Sequence, residues 1–377
     1  MQVPFLDLKI QYKSIKDEAG AAIQKVLDNT AYILGDSVAN FEMEFAKAHG
    51  VSHCIGTSSG TDGNHLVLWA LGIKPGDEVI IPANTFIATA WGVTLCGAKP
   101  VLVDCLPDTY NIDPDKVEAA ITPNTKAIVA VHLYGQPANM NRLKEISDKH
   151  KIYLVEDAAQ AHLAEYNGTK VGNFSVAGSF SFYPGKNLGA YGEAGAVVTN
   201  DDGIASTVKM MREHGQSQKY YHETFGHNYR MEGIQGAVLG VKLKYLNDWT
   251  DGRRRVAKEY NQLLSNVDDI ILPFEAPEVK HVYHLFVIRI KGANNEEAQG
   301  KRNELQKYLS ENNIATGFHY AIPIHEQKCF SHLGYKKGDF PVTENLAETG
   351  ISLPMYAELT DEQLIYVADN IKKFFSK

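Results

Sequence analysis

Short apolar runs rich in β-branched residues alternate with helical stretches through the first two-thirds of the chain. Runs at 54–57, 78–82, 100–104, 127–132, 152–156, 179–183 and 196–199 read as strands. Helical spacing of apolar residues fits 42–48, 62–71, 115–121, 140–150, 204–212 and 232–246. Strands laid side by side in parallel need a crossover between them, and a helix is the usual one. The alternation therefore predicts an α/β fold, a mostly parallel sheet covered on both faces. After about Asp251 the pattern changes. Helices fit 253–264, 299–312 and 361–375, with strand-like text at 281–290 and 316–320, as in a smaller α+β domain. A chain of 377 residues is long for one core, so two domains are expected, 1–250 and 251–377.

Charge narrows the partners. A net charge of -8 argues against a nucleic-acid surface, which needs concentrated Lys and Arg. The dense basic run, Arg253 to Arg255, reads as a solvated helix face. The cysteines, Cys54, Cys96, Cys105 and Cys329, are dispersed without CxxC spacing and look like reduced thiols. Met1 to Asp7 has neither the basic nor the apolar region of a signal peptide, and no apolar run reaches membrane-spanning length. A cytoplasmic protein with no membrane contact is expected. The histidines form no HxxxH or HExxH helix pattern, so no metal site is expected.

Two segments carry chemistry. SFSFYPGKNLGAYGEAGAVVTN (179–200) sets Lys186 in a glycine-rich turn between two strands, and YLVEDAAQAH (153–162) ends a strand in Glu156-Asp157, with Gln160 three residues on. A lysine on a tight turn and an aspartate at a strand end are what pyridoxal phosphate requires. The lysine holds the aldehyde as a Schiff base, and the aspartate keeps the ring nitrogen protonated. Gln160 is placed for the ring hydroxyl, and Phe86 for stacking on the ring. Ser58-Ser59-Gly60-Thr61, between a strand and a helix, offers free N–H groups to an anion. It is neither a P-loop nor a GxGxxG fingerprint, since the glycine spacing is wrong for both. Asn228 and Arg230 lie in a glycine-led turn before a helix, where they read equally well as caps.

Collinear text over nearly the whole chain then resembles the DegT/DnrJ/EryC1/StrS family of nucleotide-sugar aminotransferases. It runs from PFLDLKIQY and YILG, through GDEVIIPANTFIAT, TYNIDP and HLYGQPANM, to GFHYAIPIH and LPMYAELTDEQ. The resemblance implies the aspartate-aminotransferase (type I) fold and a homodimer with shared active sites. It implies Lys186 as Schiff-base lysine, Asp157 as pyridinium partner and Gln160 at the ring hydroxyl. Phe86 takes the stacking place, and Gly60, Thr61 and Ser181 the phosphate contacts. Asn228 reaches the phosphate of the neighbouring subunit. Tyr183, Arg230, His319 and Tyr320 sit where relatives meet the sugar nucleotide. L-Glutamate is implied as amino donor. The run Tyr183 to Gly189 resembles the subgroup that aminates 3-keto sugars linked to dTDP or UDP, which feed polysaccharide or natural-product synthesis. A 4-keto aminotransferase, a sugar dehydratase and a non-catalytic regulator stay open as alternatives. Two departures stand out. Ala194 replaces a glycine common in relatives, and Gly63 sits in a helix, where it costs about 1 kcal/mol against Ala.

Overall fold

The computed structural model describes residues 1–376. Strands β1 (His53–Thr57), β2 (Glu78–Pro82), β3 (Lys99–Val103), β4 (Thr125–Val131) and β5 (Tyr153–Asp157) follow one another, each separated by helix. After a small hairpin, β6 (Glu165–Tyr166) and β7 (Thr169–Lys170), come β8 (Ala177–Ser181) and β9 (Gly195–Thr199). They form a seven-stranded sheet of order β1-β9-β8-β5-β4-β2-β3. β9 is antiparallel to both neighbours, and the other pairings are parallel. The loop from β8 to β9 returns the chain without a helical crossover, which is why β9 is reversed. That loop carries Lys186.

Alternate strand residues face opposite layers. Ile55, Val79, Ile81, Val129, Val155 and Val197 pack one way, towards α3 (Gly60–Ala70), α4 (Ile87–Leu95) and α7 (Asp202–Arg212). Ile80, Ile128, Ala130 and Leu154 pack the other way, with Leu143 and Ile146 of α6 (Met140–His150). Each such fully buried Val, Ile or Leu contributes about 1.5–3 kcal/mol. Helices α1 (Leu8–Asp28), α2 (Gly35–His49), α5 (Pro114–Ala119) and α8 (Gly233–Leu243) complete the layers. The Asp7 carboxylate caps α1, accepting from the N–H groups of Lys9 and Ile10. A two-stranded ribbon, β10 (Gln216–Gln218) and β11 (Tyr221–His222), projects before α8.

A second core forms on α9 (Leu246–Leu264), α10 (Asn295–Glu311) and α12 (Asp361–Phe375). Its sheet is β12 (Ile270–Ile271), β14 (Phe286–Ile290) and β15 (Gly350–Leu353), while β13 (Val279–Lys280) pairs with β6. Helix α11 (Pro341–Thr349) leads into β15. The Thr360 hydroxyl and the Gln363 side chain form a reciprocal capping box at the start of α12. Helix α9 runs unbroken across positions 250 and 251, and Val3 is buried in the second core. The two cores thus share α9 and the first residues of the chain.

Two expectations need correction. Residues 316–320 form no strand; they contribute one bridge, Gly317 to Ser352, because the chain turns there towards the large sheet. Arg253 is not solvated but buried, and its Nη1 donates to the carbonyls of Tyr283, His284 and Met355. Burial lowers its pKa to about 10, opposed by Glu358. Arg254 and Arg255 do reach the surface, paired with Glu275 and Asp361.

Candidate active site

A cavity of about 620 Å³ opens at the carboxyl ends of β1, β4, β5 and β8. Ligands in open α/β sheets bind at this edge, because loops converge there while the strands stay rigid. A more open hollow of about 720 Å³ lies on α9 around Arg254 and Lys258, away from every residue singled out for chemistry.

Lys186 enters the cavity from the β8–β9 loop, which is held tight. The Lys186 N–H donates to Tyr183 O at 2.8 Å, and Ala190 N–H to Phe182 O at 2.7 Å. A Cβ on Gly189 would stand 2.3 Å from Pro184 O, so only glycine closes this loop. Asn187 Nδ2 ties it to Val282 O at 2.9 Å, and the buried Lys242 ammonium donates to Gly189 O. The Lys186 amine itself makes no hydrogen bond or ion pair among the described residues. Burial pushes its pKa down to about 8, and the Asp157 charge opposes this in part. Lys186 keeps some exposure through the cavity, so its amine is both desolvated and reachable.

Asp157 ends β5 and is buried. Its Oδ2 accepts from Asn64 Nδ2 at 2.9 Å and from Thr89 Oγ1 at 2.7 Å, and its Oδ1 accepts from Ala159 N–H at 3.1 Å. Asn64 is held in turn by the Ser179 hydroxyl. Sequence reasoning missed Asn64 and Thr89, although each lies one helical turn beyond an expected contact, Gly60 and Phe86. Close packing brings them together. A Cβ on Gly92 of α4 would come within 2.9 Å of Asn64 Cβ, and one on Gly63 within 3.3 Å of Ser179 Cβ. The helical glycine at 63 thus lets α3 lie close on β8. Thr89→Val removes a donor from a buried carboxylate and is expected to cost about 1–3 kcal/mol in chemical denaturation. Thr89→Ser keeps the hydroxyl and recovers most of this; equal losses for both would refute the role.

At one end of the cavity the N-terminus of α3 meets Ser181. Ser59 caps the helix, accepting from Asp62 N–H at 3.1 Å. The first-turn N–H groups of Gly60 and Thr61 have no partner among the described residues. A Cβ on Gly60 would lie 2.6 Å from Ser181 Cβ, so this cradle also depends on glycine. The Asp62 carboxylate is engaged by the Ser58 and Ser59 hydroxyls at 2.6 and 2.8 Å.

Gln160 accepts from Tyr134 N–H at 2.7 Å and donates through Nε2 to Tyr320 Oη at 2.8 Å. Phe86 is 50% exposed, with its ring 5.5 Å from that of Tyr320. Tyr183 and His319 also line the cavity. His319 Nδ1 lies 2.8 Å from Ser352 Oγ, and burial lowers its pKa to about 4. Asn228 and Arg230 do not line their own chain's cavity. Asn228 is exposed and bridged to Glu213, whereas Arg230 is bridged to Thr57. Outside the cavity lining, His325, Glu326 and Glu344 gather, but Glu344 is already taken by His325 Nε2 and the N–H groups of Gly338 and Phe340.

The cavity residues fit pyridoxal phosphate. An unpaired amine suits an aldehyde, a buried carboxylate suits a pyridinium, free helix N–H groups suit a phosphate, and an open aromatic face suits a flat ring. With the open α/β sheet, these features define a pyridoxal-phosphate-dependent enzyme of the aminotransferase class. Residues 13–372 match the DegT/DnrJ/EryC1/StrS aminotransferase family, and the chain belongs to that family. It is 44% identical over 377 residues to a pleiotropic regulatory protein of Geobacillus stearothermophilus, covering 100% of this chain and 99% of that protein. It is 42% identical over 373 residues to a dTDP-3-amino-3,4,6-trideoxy-alpha-D-glucose transaminase of Streptomyces venezuelae, covering 99% of this chain and 96% of the relative. The fold is similar to that of S. venezuelae DesV, solved in complex with a ketimine intermediate. The TM-score is 0.96 at 42% identity, covering 100% of this chain and 99% of the other. The chain is a pyridoxal-phosphate-dependent sugar aminotransferase.

Proposed function

We propose that this enzyme moves an amino group from L-glutamate to the 3-keto carbon of a dTDP- or UDP-linked hexose, releasing 2-oxoglutarate and a 3-amino sugar nucleotide. The observation that carries the reading is the Lys186 amine, unpaired and with a pKa of about 8, sharing with the Asp157 carboxylate a cavity that ends at the α3 N-terminus. Similarity to the S. venezuelae 3-amino-sugar transaminase supports carbon 3.

Pyridoxal phosphate, when bound, supplies the electron sink and carries the amino group between the two half-reactions. The chain's residues do the rest. Lys186 holds the aldehyde carbon. Once the amino donor has displaced it, its free amine would take a proton from the donor carbon and give it back in the reverse half-reaction. Asp157 keeps the ring nitrogen protonated, and Asn64 and Thr89 hold its carboxylate in place. Gln160 would hold the ring hydroxyl and Phe86 would stack on the ring. Gly60, Thr61 and Ser181 take the phosphate. Tyr183, His319 and Tyr320 face the sugar nucleotide.

Asn228 and Arg230 complete the site of a second copy in a homodimer. This is supported by their position outside their own cavity, on the segment that follows the projecting β10–β11 ribbon. The division into a cofactor domain and a smaller C-terminal domain is supported by the two cores. A cytoplasmic location is supported by unpaired cysteines. Among the described residues no helix is long and apolar enough to cross a membrane.

Turnover of 3-keto and 4-keto nucleotide sugars with L-glutamate, measured side by side, tests the regiochemistry. Faster amination of the 3-keto sugar is expected. Preference for the 4-keto sugar, or loss of water from the sugar without amination, would replace this reading.

A further inference from the structure

Tyr134 lies outside every role assigned above, yet it touches both sides of the site. Its backbone sits at φ 59°, ψ 3°, in the left-handed region, where a bulky residue costs about 1–3 kcal/mol. Its four polar contacts run to four different segments. The N–H donates to Gln160 Oε1 at 2.7 Å, and the carbonyl accepts from Leu285 N–H at 3.3 Å. The hydroxyl donates to His319 O, and it also interacts with Asn84. Gly135 beside it, at φ 102°, could not carry a Cβ without meeting His284 N at 3.0 Å. The turn is therefore pressed against the segment that leads into β14.

Resting on the reading above, we propose that Tyr134 is a positioning residue that orients Gln160 and the His319–Tyr320 segment together, so that the Tyr320 hydroxyl proton is presented to the sugar nucleotide. Hydrogen-bond polarity carries the argument. A backbone N–H can only donate, so the Gln160 oxygen must face Tyr134 and its NH₂ must face the cavity. One NH₂ hydrogen goes to Tyr320 Oη, and the other is left for the cofactor's ring hydroxyl. Tyr320, accepting from Gln160, then keeps its own O–H for a ligand; no described residue accepts it. Burial raises the Tyr320 pKa, which keeps that proton on at neutral pH. The Tyr134 hydroxyl on His319 O closes the circuit by holding the main chain that precedes Tyr320. A residue serving only as packing needs neither the left-handed backbone nor this closed ring of bonds.

Tyr134→Phe removes only the hydroxyl. The expected result is a KM for the keto sugar nucleotide raised by about tenfold. Pyridoxal phosphate affinity and the rate of the glutamate half-reaction should stay within about twofold of wild type, because the N–H to Gln160 remains. Parallel losses in all three would mark Tyr134 as a packing residue and overturn the proposal. Tyr320→Phe separates the two readings. If it raises the sugar KM and Tyr134→Phe does not, the coupling is wrong. If neither does, the assignment of Tyr320 to the sugar is wrong, and the coupling goes with it. A second measurement needs no variant. In wild-type holoenzyme, dTDP-glucose should slow hydrogen exchange at 317–320 and at Leu285 together; protection of 317–320 alone overturns the coupling.

Discussion

Lys186→Ala is expected to abolish turnover while leaving the protein folded and able to take up pyridoxal phosphate. Loss of the proton carrier alone accounts for about 10²–10⁴-fold in rate, and loss of the covalent attachment adds to it. The fold should survive because Lys186 contributes no side-chain hydrogen bond, whereas its loop is held by Asn187, Ala190 and the Lys242–Gly189 contact. The cofactor should still bind through the α3 N-terminus, Ser181 and Asp157, none of which is altered. The visible band of the lysine-bound cofactor should vanish. Near-normal turnover would end the assignment. Stability gives a second readout in the cofactor-free protein. The folded pKa of Lys186, about 8, lies below its ordinary value of 10.5, so the unfolded chain binds more protons between those limits. Wild type should therefore gain stability relative to the alanine variant as pH rises from about 8 towards 10. A difference that is flat with pH would mean that the amine is not desolvated.

Asp157→Asn is the second large effect expected. The substitution is nearly isosteric, but both carboxylate oxygens face donors: Asn64 and Thr89 on Oδ2, Ala159 N–H on Oδ1. An asparagine NH₂ must face one of these, so at least one hydrogen bond becomes a donor–donor contact, at about 1–3 kcal/mol. The larger loss is chemical. Without a negative charge beside it the pyridine nitrogen loses its proton, and the ring no longer draws electrons from the reacting carbon. Removing one such preorganised electrostatic partner typically costs about 10²–10³-fold in rate. The lysine-bound cofactor band should persist, because Lys186 is intact. Retained turnover would assign the ring nitrogen to another partner. Loss of the band together with turnover would indicate that Asp157 holds the cofactor in place rather than activating it.

The parts of the site that could be read from sequence are those set by local chemistry. Asp157 stands at the end of a strand, Lys186 in a glycine-rich return and Gly60-Thr61 at a helix start, and family resemblance attached roles to them. Asn64, Thr89 and Tyr134 could not be read in the same way. Asn64 and Thr89 meet Asp157 only because α3 and α4 cross at the Gly92–Asn64 contact. Tyr134 matters through bonds to residues far away in sequence, and nothing in HLYG marks its backbone as left-handed. Arg253 misled for the same reason. A basic run on a helix looks solvated until three carbonyls from other segments close around one member.

The sequence by itself determined the strand–helix alternation and the placing of lysine, carboxylate and anion-binding turn at strand ends. These follow from periodicity and turn chemistry, which act over a few residues. Tertiary structure alone decided which helices hold the Asp157 carboxylate and how Gln160 is turned. It also carried Val3 into the second core and 317–320 to the edge of the cavity. Those outcomes depend on how closely packed elements approach across the sheet, a distance that side chains from remote segments set jointly and no local pattern encodes.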